Sequence, residues 1–153
     1  MVSSSPFIRW TDYPLHVSDL LKALVLAAGA GNRLRPLTDH TPKPMLPVAG
    51  RPILEHNVRL LAKHGISDIV MNLHHLPETI TDHFGDGSNW GVRITYSHET
   101  ELLGTAGAAR KLGSFLNDTF MVVYGDNLTD CNLTKLIDLH REKRGVATIA
   151  LFH

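Results

Sequence analysis

The chain has 153 residues, of which 43% are hydrophobic, so its length and composition suit one domain with a single packed core. Fifteen Lys and Arg residues balance fifteen Asp and Glu residues, which argues against a nucleic-acid-binding surface. The single cysteine, Cys131, excludes an intramolecular disulfide. The first residues lack the basic start and apolar run of a signal peptide, and no stretch has the length of a membrane span, so we expect a cytoplasmic protein.

Residues 1–21 contain two prolines and four serines without a hydrophobic period. We expect them to form an extension outside the main fold, with at most one helical turn. From Lys22 onward, apolar runs of strand length alternate with segments of helical period. The predicted strands are residues 23–28, 67–73, 92–97, 120–124 and 146–152. The predicted helices are residues 53–64, 77–84, 105–112 and 133–143.

This alternation predicts an α/β fold with a three-layer, Rossmann-like, mostly parallel sheet and helices on both faces. In such sheets, ligands bind outside the carboxyl ends of the strands. The loops that follow Ala28, Leu73, Ser97 and Tyr124 are therefore the predicted places for a binding site. The last strand pattern runs to the end of the chain, and we expect the domain of residues 22–153 to be truncated there.

A glycine-rich segment, GAGNRLRPLT, follows the first predicted strand. Two glycines after a buried strand let the backbone approach a ligand closely and turn its N–H groups toward an anion. The dinucleotide fingerprint GxGxxG fails because Leu34 occupies the third glycine position, which disfavours a nicotinamide dehydrogenase. The P-loop pattern also fails, because no Gly-Lys pair follows. A third arrangement fits, in which a glycine-rich loop with Arg33 precedes Lys43 between two prolines.

The segment LAAGAGNRLRPLTDHTPKPMLPVAGRPILEH resembles the signature of the sugar-1-phosphate nucleotidyltransferases, also called NDP-sugar pyrophosphorylases. That pattern is roughly G-x-G-[ST]-R-x-x-P-L-T, a short spacer, and P-K-P/Q-[ML]-[LV]-P. Asn32 departs from the pattern, since most members have Thr or Ser there, although Asn also hydrogen-bonds phosphate. The resemblance implies an enzyme that joins an NTP to a sugar-1-phosphate and releases pyrophosphate. It also implies these two substrates as partners and Mg²⁺ as cofactor.

The chemistry of phosphoryl transfer gives roles to the two cations of this segment. Displacement at phosphorus needs neutralised phosphate oxygens and an oriented nucleophile. The planar fork of Arg33 suits the β- and γ-phosphates, which leave as pyrophosphate. Lys43 is a point charge on a backbone that its flanking prolines stiffen, and the resemblance implies contact with the α-phosphate and the sugar phosphate. We expect Arg33 and Lys43 to be the catalytic residues.

Two later segments extend the resemblance. HETELLGTAGA, residues 98–108, resembles the segment that reads the base, in which Gly104 lets the backbone reach the base edge and Thr105 begins a helix. YGDN, residues 124–127, resembles a G-D-N motif at a strand end, and Asp126 is the candidate Mg²⁺ ligand. His75 follows the second strand, where the family often contacts the base, although a satisfied or exposed histidine is the plainer explanation. The expected nucleotide-binding residues are Ala28, Gly29, Gly31, Asn32, Arg33, Lys43, His75, Gly104 and Thr105.

The resemblance covers residues 22–153 and only the nucleotide half of the family's active site. A second metal carboxylate and a sugar-binding segment are expected beyond residue 153. The turn GDGSNWG, residues 85–91, is also similar to the family, and we expect it to be structural, with Trp90 packed.

The sequence leaves alternatives open for the substrates and for the activity itself. LGTAGA favours guanylyl transfer to mannose-1-phosphate, with thymidylyl or uridylyl transfer to glucose-1-phosphate as the alternative. A different class of function is a catalytically silent nucleotide-binding or regulatory module related to these enzymes. We expect no nucleic acid and no membrane as partner, and a homo-oligomer is left open.

Overall fold

The computed structural model describes residues 21–151, and the predicted extension at residues 1–20 lies outside this range. The strands are β1 (Lys22–Leu26), β2 (Pro47–Val48), β3 (Arg51–Pro52), β4 (Asp68–Leu73), β5 (Arg93–His98) and β6 (Phe120–Tyr124). The α-helices are α1 (Ile53–Lys63), α2 (Pro77–Phe84), α3 (Gly104–Lys111) and α4 (Leu133–Lys143). In this described part of the chain, no helix is long and apolar enough to cross a membrane.

Four parallel strands form the main sheet in the order β5-β4-β1-β6. Parallel neighbours require a crossover connection, and here α1, α2 and α3 each lie between two successive strands of the sheet. The chain winds outward from β1 through β4 to β5, and then returns to pair β6 with the other side of β1. This topology confirms the predicted Rossmann-like α/β fold with a parallel sheet.

Helices cover both faces of the sheet, as predicted, but to different depths. One face packs against α1, α2 and α4 in a large core that includes Val25, Leu54 and Ile80. The other face packs against α3 and the segment after it in a small core around Leu24 and Leu116. Successive residues of β1 enter different cores because side chains of a strand alternate between the two faces. Burial on both faces explains why β1 is a continuous apolar run in the sequence.

Several element boundaries differ from the sequence analysis by one or two residues. β1 ends at Leu26 rather than at residue 28, because the N–H of Ala27 donates to the side chain of Asn72 instead of to the backbone of a neighbouring strand. α3 begins at Gly104, one residue before its predicted start. Leu21, which the sequence placed in the extension, is buried in the large core. The core therefore begins one residue earlier than the sequence indicated.

The prediction of a fifth strand at residues 146–152 is wrong for the six residues that the structure describes. Residues 146–151 are not a strand and pair with no strand of the described chain. Val146, Ile149 and Leu151 are exposed. An apolar pattern forms a strand only beside a neighbour that pairs with its backbone N–H and C=O groups, and this condition is not visible in the sequence of the segment itself.

Glu55 on α1 is a buried carboxylate within the layer formed by α1 and α2. Its Oε1 accepts a hydrogen bond from Arg59 Nε at 2.8 Å, and His83 Nε2 lies 3.3 Å from Oε2. The ring of Trp90 stacks on His83 and lies 5.1 Å from the Arg59 guanidinium, so Trp90 is packed, as predicted. Burial raises the pKa of Glu55, but Arg59 and His83 lower it by more, so this pKa lies below its ordinary value. These four residues are called the α1–α2 cluster below.

Candidate active site

The carboxyl ends of β1 and β6 lie side by side where the sheet reverses its winding direction. The carboxyl ends of the strands, at the point where the strand order reverses, are the usual place for a ligand in open parallel sheets. A cleft of about 280 Å³ opens at this edge. Six of the predicted site residues line the cleft, namely Ala28, Gly29, Lys43, Gly104, Thr105 and Asp126. Its other lining residues are Leu26, Ala27, Pro44, Asn72, Glu99, Leu102 and Tyr124.

Lys43 and Asp126 form an ion pair within the cleft, although 83 positions separate them in the sequence. Lys43 begins a short 3-10 turn whose next two residues, Pro44 and Met45, are buried and so anchor the lysine backbone. Asp126 follows β6 directly. The two side chains are 31% and 30% exposed, so the charges are held together but stay accessible from the cleft. The predicted catalytic lysine and the predicted metal ligand are thus in direct contact.

Gly125 brings Asp126 close to the end of β1. Its N–H donates to Leu26 O at 2.9 Å, and a Cβ at this position would lie 2.9 Å from the same oxygen. Asn57 of α1 supports the turn from behind, because its Nδ2 donates to Gly125 O at 3.2 Å. Only a residue without a side chain fits between β1 and α1 here. The glycine of the G-D-N motif therefore has a packing role that fixes where the carboxylate emerges.

Residues 29–38 form a loop, called the phosphate loop below, that closes on itself through Thr38. Gly31 has a φ of 66°, a conformation that disfavours any other residue, and a Cβ there would lie 2.9 Å from Thr38 Cγ2. The Thr38 hydroxyl is buried and donates to Gly31 O at 2.9 Å. At Gly29, by contrast, an added Cβ would meet no atom of the chain within 4 Å. Internal packing explains the glycine at 31 but not the glycine that lines the cleft.

Four predicted nucleotide-binding residues lie outside the cleft lining. Gly31 is inside the loop closure, and Asn32 and Arg33 occupy an exposed 3-10 turn. His75 is half-buried, and its Nε2 donates to Thr38 O at 3.0 Å, which leaves the ring beside the phosphate loop. The structure thus places His75 as a support of the loop. Arg33 is near the cleft in sequence but makes no lining contact in this conformation.

The opposite end of the cleft is built around Glu99. Its two carboxylate oxygens accept hydrogen bonds from Asn72 Nδ2 at 2.9 Å and from Leu103 N–H at 3.1 Å. Its backbone oxygen accepts from His74 Nδ1 at 2.8 Å. These contacts hold the segment that leads to Gly104, whose φ of 67° turns the chain into α3. The predicted base-reading segment is therefore fixed by buried and partly buried hydrogen bonds on its inner side.

Sequence analysis did not assign roles to Asn57, Asn72, Glu99 or Tyr124. Two of them could have been noticed in the sequence, because Asn57 interrupts the apolar face of α1 and Asn72 interrupts the apolar run of β4. A buried amide in such a position needs hydrogen-bond partners and commonly marks a polar junction. Tyr124 left no comparable signal. Its hydroxyl lies 3.4 Å from Thr105 Oγ1, across the cleft from β6 to α3.

Comparison with known proteins gives a family for this arrangement. The family described as "Nucleotidyl transferase" matches residues 22–153. A UTP–glucose-1-phosphate uridylyltransferase of Synechocystis is 43% identical over 141 residues, which are 84% of this chain and 36% of that protein. A mannose-1-phosphate guanylyltransferase of Mycobacterium tuberculosis is 44% identical over 130 residues, with the same two shares.

A solved structure agrees with these sequence relatives. The crystal structure of a Bacillus anthracis protein, described as a glucose-1-phosphate thymidylyltransferase, superposes with a TM-score of 0.75 at 30% identity. The match covers 81% of this chain and 51% of that one. The chain spans about a third of the length of the curated relatives and half of this structure. The family match and the shared fold confirm the resemblance seen in the motifs, and the chain belongs to the nucleotidyl transferase family.

Proposed function

We propose that the chain forms the nucleotide-binding part of a sugar-1-phosphate nucleotidyltransferase that joins an NTP to a sugar-1-phosphate. The observation that supports this most directly is the Lys43–Asp126 pair beside Gly29 in one cleft at the switch point of the sheet. In the proposed reaction, a phosphate oxygen of the sugar-1-phosphate attacks the α-phosphorus of the NTP. The bond from that phosphorus to the bridging oxygen breaks, and pyrophosphate leaves with the electron pair.

In the proposed reaction, each part of the cleft contacts a different part of the substrates. The backbone at Ala28 and Gly29 gives the phosphates a close approach, and the absence of a side chain at position 29 leaves them room. Lys43 neutralises the α-phosphate and the incoming sugar phosphate, so that two anions can meet. Arg33, exposed on the phosphate loop, takes the β- and γ-phosphates after a small movement of that loop. The segment from Glu99 to Thr105 then faces the base.

A divalent cation fits the proposed site through Asp126. Within residues 21–151, no group of three or more His, Cys, Asp or Glu side chains could hold a metal by itself. Mg²⁺ bound to a triphosphate needs only one or two protein carboxylates, because phosphate oxygens and water complete its octahedron. The half-exposed carboxylate of Asp126 is a hard oxygen ligand of this kind. When bound, the metal would neutralise charge on the triphosphate, and Lys43 would be freed from its ion pair to contact phosphate.

The base and sugar are proposed from the relatives. The Synechocystis protein is named for UTP and glucose-1-phosphate, and the Mycobacterium protein for guanylyl transfer to mannose-1-phosphate. The two identities are nearly equal, so we propose a pyranose-1-phosphate as sugar substrate and retain both UTP and GTP as candidate nucleotides. We further propose a cytoplasmic location, where both substrates are made available to such an enzyme.

Two measurements test the proposal. Calorimetry of this chain with Mg²⁺ and each NTP should show binding of at least one NTP. Turnover is measured in a chimera in which residues 22–153 replace the matched segment of the Synechocystis relative, and it should release pyrophosphate when a sugar-1-phosphate is added. A chain that binds no NTP, or a folded chimera that releases no pyrophosphate with any pair of substrates, would contradict the proposal. NTP binding without turnover would favour the alternative of a silent nucleotide-binding module.

A further inference from the structure

The side chain of Asn72 makes two buried hydrogen bonds that connect the two ends of the cleft. Asn72 is 4% exposed, and its Oδ1 accepts from the N–H of Ala27 at 2.9 Å, where β1 passes into the phosphate loop. Its Nδ2 donates to Glu99 Oε1 at 2.9 Å. Glu99 Oε2 accepts from the N–H of Leu103 at 3.1 Å, directly before Gly104. A continuous series of three hydrogen bonds, called the brace below, therefore runs from Ala27 to Leu103.

The sheet does not need this side chain to hold its strands together. The backbone ladder between β1 and β4 ends where Leu26 lies opposite Asn72. The bond from Ala27 to Asn72 extends the pairing by one residue beyond the ladder, into the lining of the cleft. The brace thus acts where β1 has already ended and the chain begins to line the cleft.

The direction of each bond in the brace is fixed by its chemistry. The N–H groups of Ala27 and Leu103 can only donate, so both ends of the brace must present acceptors. The two oxygens of Glu99 supply two acceptors, and the amide of Asn72 supplies one acceptor and one donor. Glu99 is only 5% exposed, so a group left unpaired here would also lose its bond to water.

We propose that Asn72 is a positioning residue that fixes the spacing between the phosphate loop and the segment at Gly104, and that it thereby sets nucleotide selectivity. The inference rests on the proposed function, because it assigns these two surfaces to the phosphates and the base of one nucleotide. Asn72 acts through Ala27 and Glu99 rather than on the reacting atoms. Since a misplacement of about 1 Å can cost about a hundredfold in rate, the brace affects discrimination between bases as well as affinity.

A polarity swap tests the proposal. In the double variant Asn72→Asp/Glu99→Gln, the new carboxylate at position 72 accepts from Ala27 and from the new amide at position 99. The oxygen of that amide accepts from Leu103, so all three bonds and the total charge are restored, and only the bond between positions 72 and 99 reverses its direction. Each single variant instead places two acceptors, or two donors, against each other. The dissociation constants of ATP, GTP, CTP, UTP and dTTP are measured with Mg²⁺ for this chain and the three variants.

Each single variant should weaken binding of the preferred nucleotide about tenfold, the usual effect of losing a hydrogen bond to a charged group, and should reduce the ratio between preferred and disfavoured nucleotides. The double variant should recover the affinity for the preferred nucleotide and the selectivity ratio, each to within about threefold of the unmodified chain, because the two residues are coupled. Additive losses in the double variant, or losses of thermal stability without a change in the ratio, would overturn the brace alone. Absence of NTP binding by the unmodified chain would overturn the proposed function and the brace together.

An exposed position provides a second test that does not disturb the core. Leu103 has a φ of −82°, which suits proline, and Leu103→Pro removes the N–H that Glu99 accepts. Leu103→Ala is the matched control, because it shortens the side chain and keeps the N–H. The proline variant should lower the selectivity ratio about tenfold relative to the alanine variant, because only the proline variant lacks the N–H. Equal ratios in the two variants would overturn the proposal.

Discussion

Two of the places where a carboxylate meets cations in the described part of the chain differ in burial. In the cleft, Asp126 pairs with Lys43, and both side chains are about 30% exposed. In the α1–α2 cluster, Glu55 is 7% exposed and is held by Arg59 and His83. The first pair can exchange its partners for a phosphate and a cation without unfolding anything. The second is closed by packing, so its carboxylate is held by the Arg and His side chains around it.

This difference in burial predicts that the exposed pair affects ligand binding and that the buried carboxylate affects the free energy of unfolding. Half-exposed ion pairs contribute little to stability, because water screens them and ordering the two side chains costs entropy. Lys43 and Asp126 are therefore expected to matter for phosphate and metal binding, and little for the free energy of unfolding. Glu55 should behave in the opposite way. The predictions below test this contrast. An effect on stability where we expect one on binding, or the reverse, would contradict it.

The largest effect is expected for Lys43→Ala in the chimera. Loss of one positioned charge should lower kcat/KM about a hundredfold, or about 2.7 kcal/mol of transition-state stabilisation. Arg33→Ala should act in the same way if the phosphate loop moves to the β- and γ-phosphates. Pyrophosphate release measures both variants. Lys143→Ala is the control, because Lys143 is exposed on α4 and pairs with its neighbour Glu142. Activity of Lys43→Ala equal to that of the control would remove Lys43 from the mechanism.

The next effect concerns the support of the cleft at Gly125. Gly125→Ala places a Cβ about 2.9 Å from Leu26 O, so the turn must shift. Overpacking of this kind should cost about 2 kcal/mol of unfolding free energy and also weaken NTP binding, since Asp126 is the next residue. Urea unfolding and calorimetry measure the two effects. Gly145→Ala is the control, because its Cβ would meet the nearest atom at an ordinary 3.4 Å. Unchanged NTP binding in the Gly125 variant would show that Asp126 can be repositioned freely.

Asp126→Asn should raise the Mg²⁺ requirement while the fold survives. The amide keeps the shape of the side chain but removes the charge that a hard cation prefers, so about tenfold more Mg²⁺ should be needed for half-maximal turnover of the chimera. The free energy of unfolding should change by less than about 1 kcal/mol, as expected for an exposed pair. A variant with the original Mg²⁺ dependence would make Asp126 a turn residue and would remove the contrast with Glu55.

The sequence was sufficient to predict a parallel sheet and the alternation of strands and helices along the chain. It was also sufficient to identify the two segments that meet at Lys43 and Asp126. These follow from the hydrophobic periodicity and from the motifs that carry the family resemblance. It was insufficient for residues 146–151, whose apolar pattern lacks a neighbouring strand in the described chain. It also gave no role to Asn72, because a side-chain amide acts through partners that lie 45 and 27 positions away. Contacts of that range depend on topology, which local patterns do not specify.

The smallest effect is expected for Glu55→Gln, and it appears in stability rather than in binding. The folded-state pKa of Glu55 lies below its ordinary value of 4.5. Its ionised form therefore contributes stability above pH 4.5, and this contribution is lost as the pH falls through the lower, folded-state pKa. Loss of the ion pairs should cost about 1 kcal/mol at neutral pH, since the Arg and His partners are partly exposed.

Urea unfolding of Glu55→Gln from pH 7 down to pH 3 tests this assignment. The gap between the variant and the unmodified chain should be widest at neutral pH and should narrow below pH 4.5, because protonation removes the same charge from the unmodified chain. Glu78→Gln, at an exposed position of α2, is the matched control and should show no such narrowing. NTP binding at pH 7 should be equal in all three proteins. A stability difference that is independent of pH would contradict the role given to the Glu55 charge. A loss of NTP binding would show that Glu55, like Asp126, contributes to the ligand site.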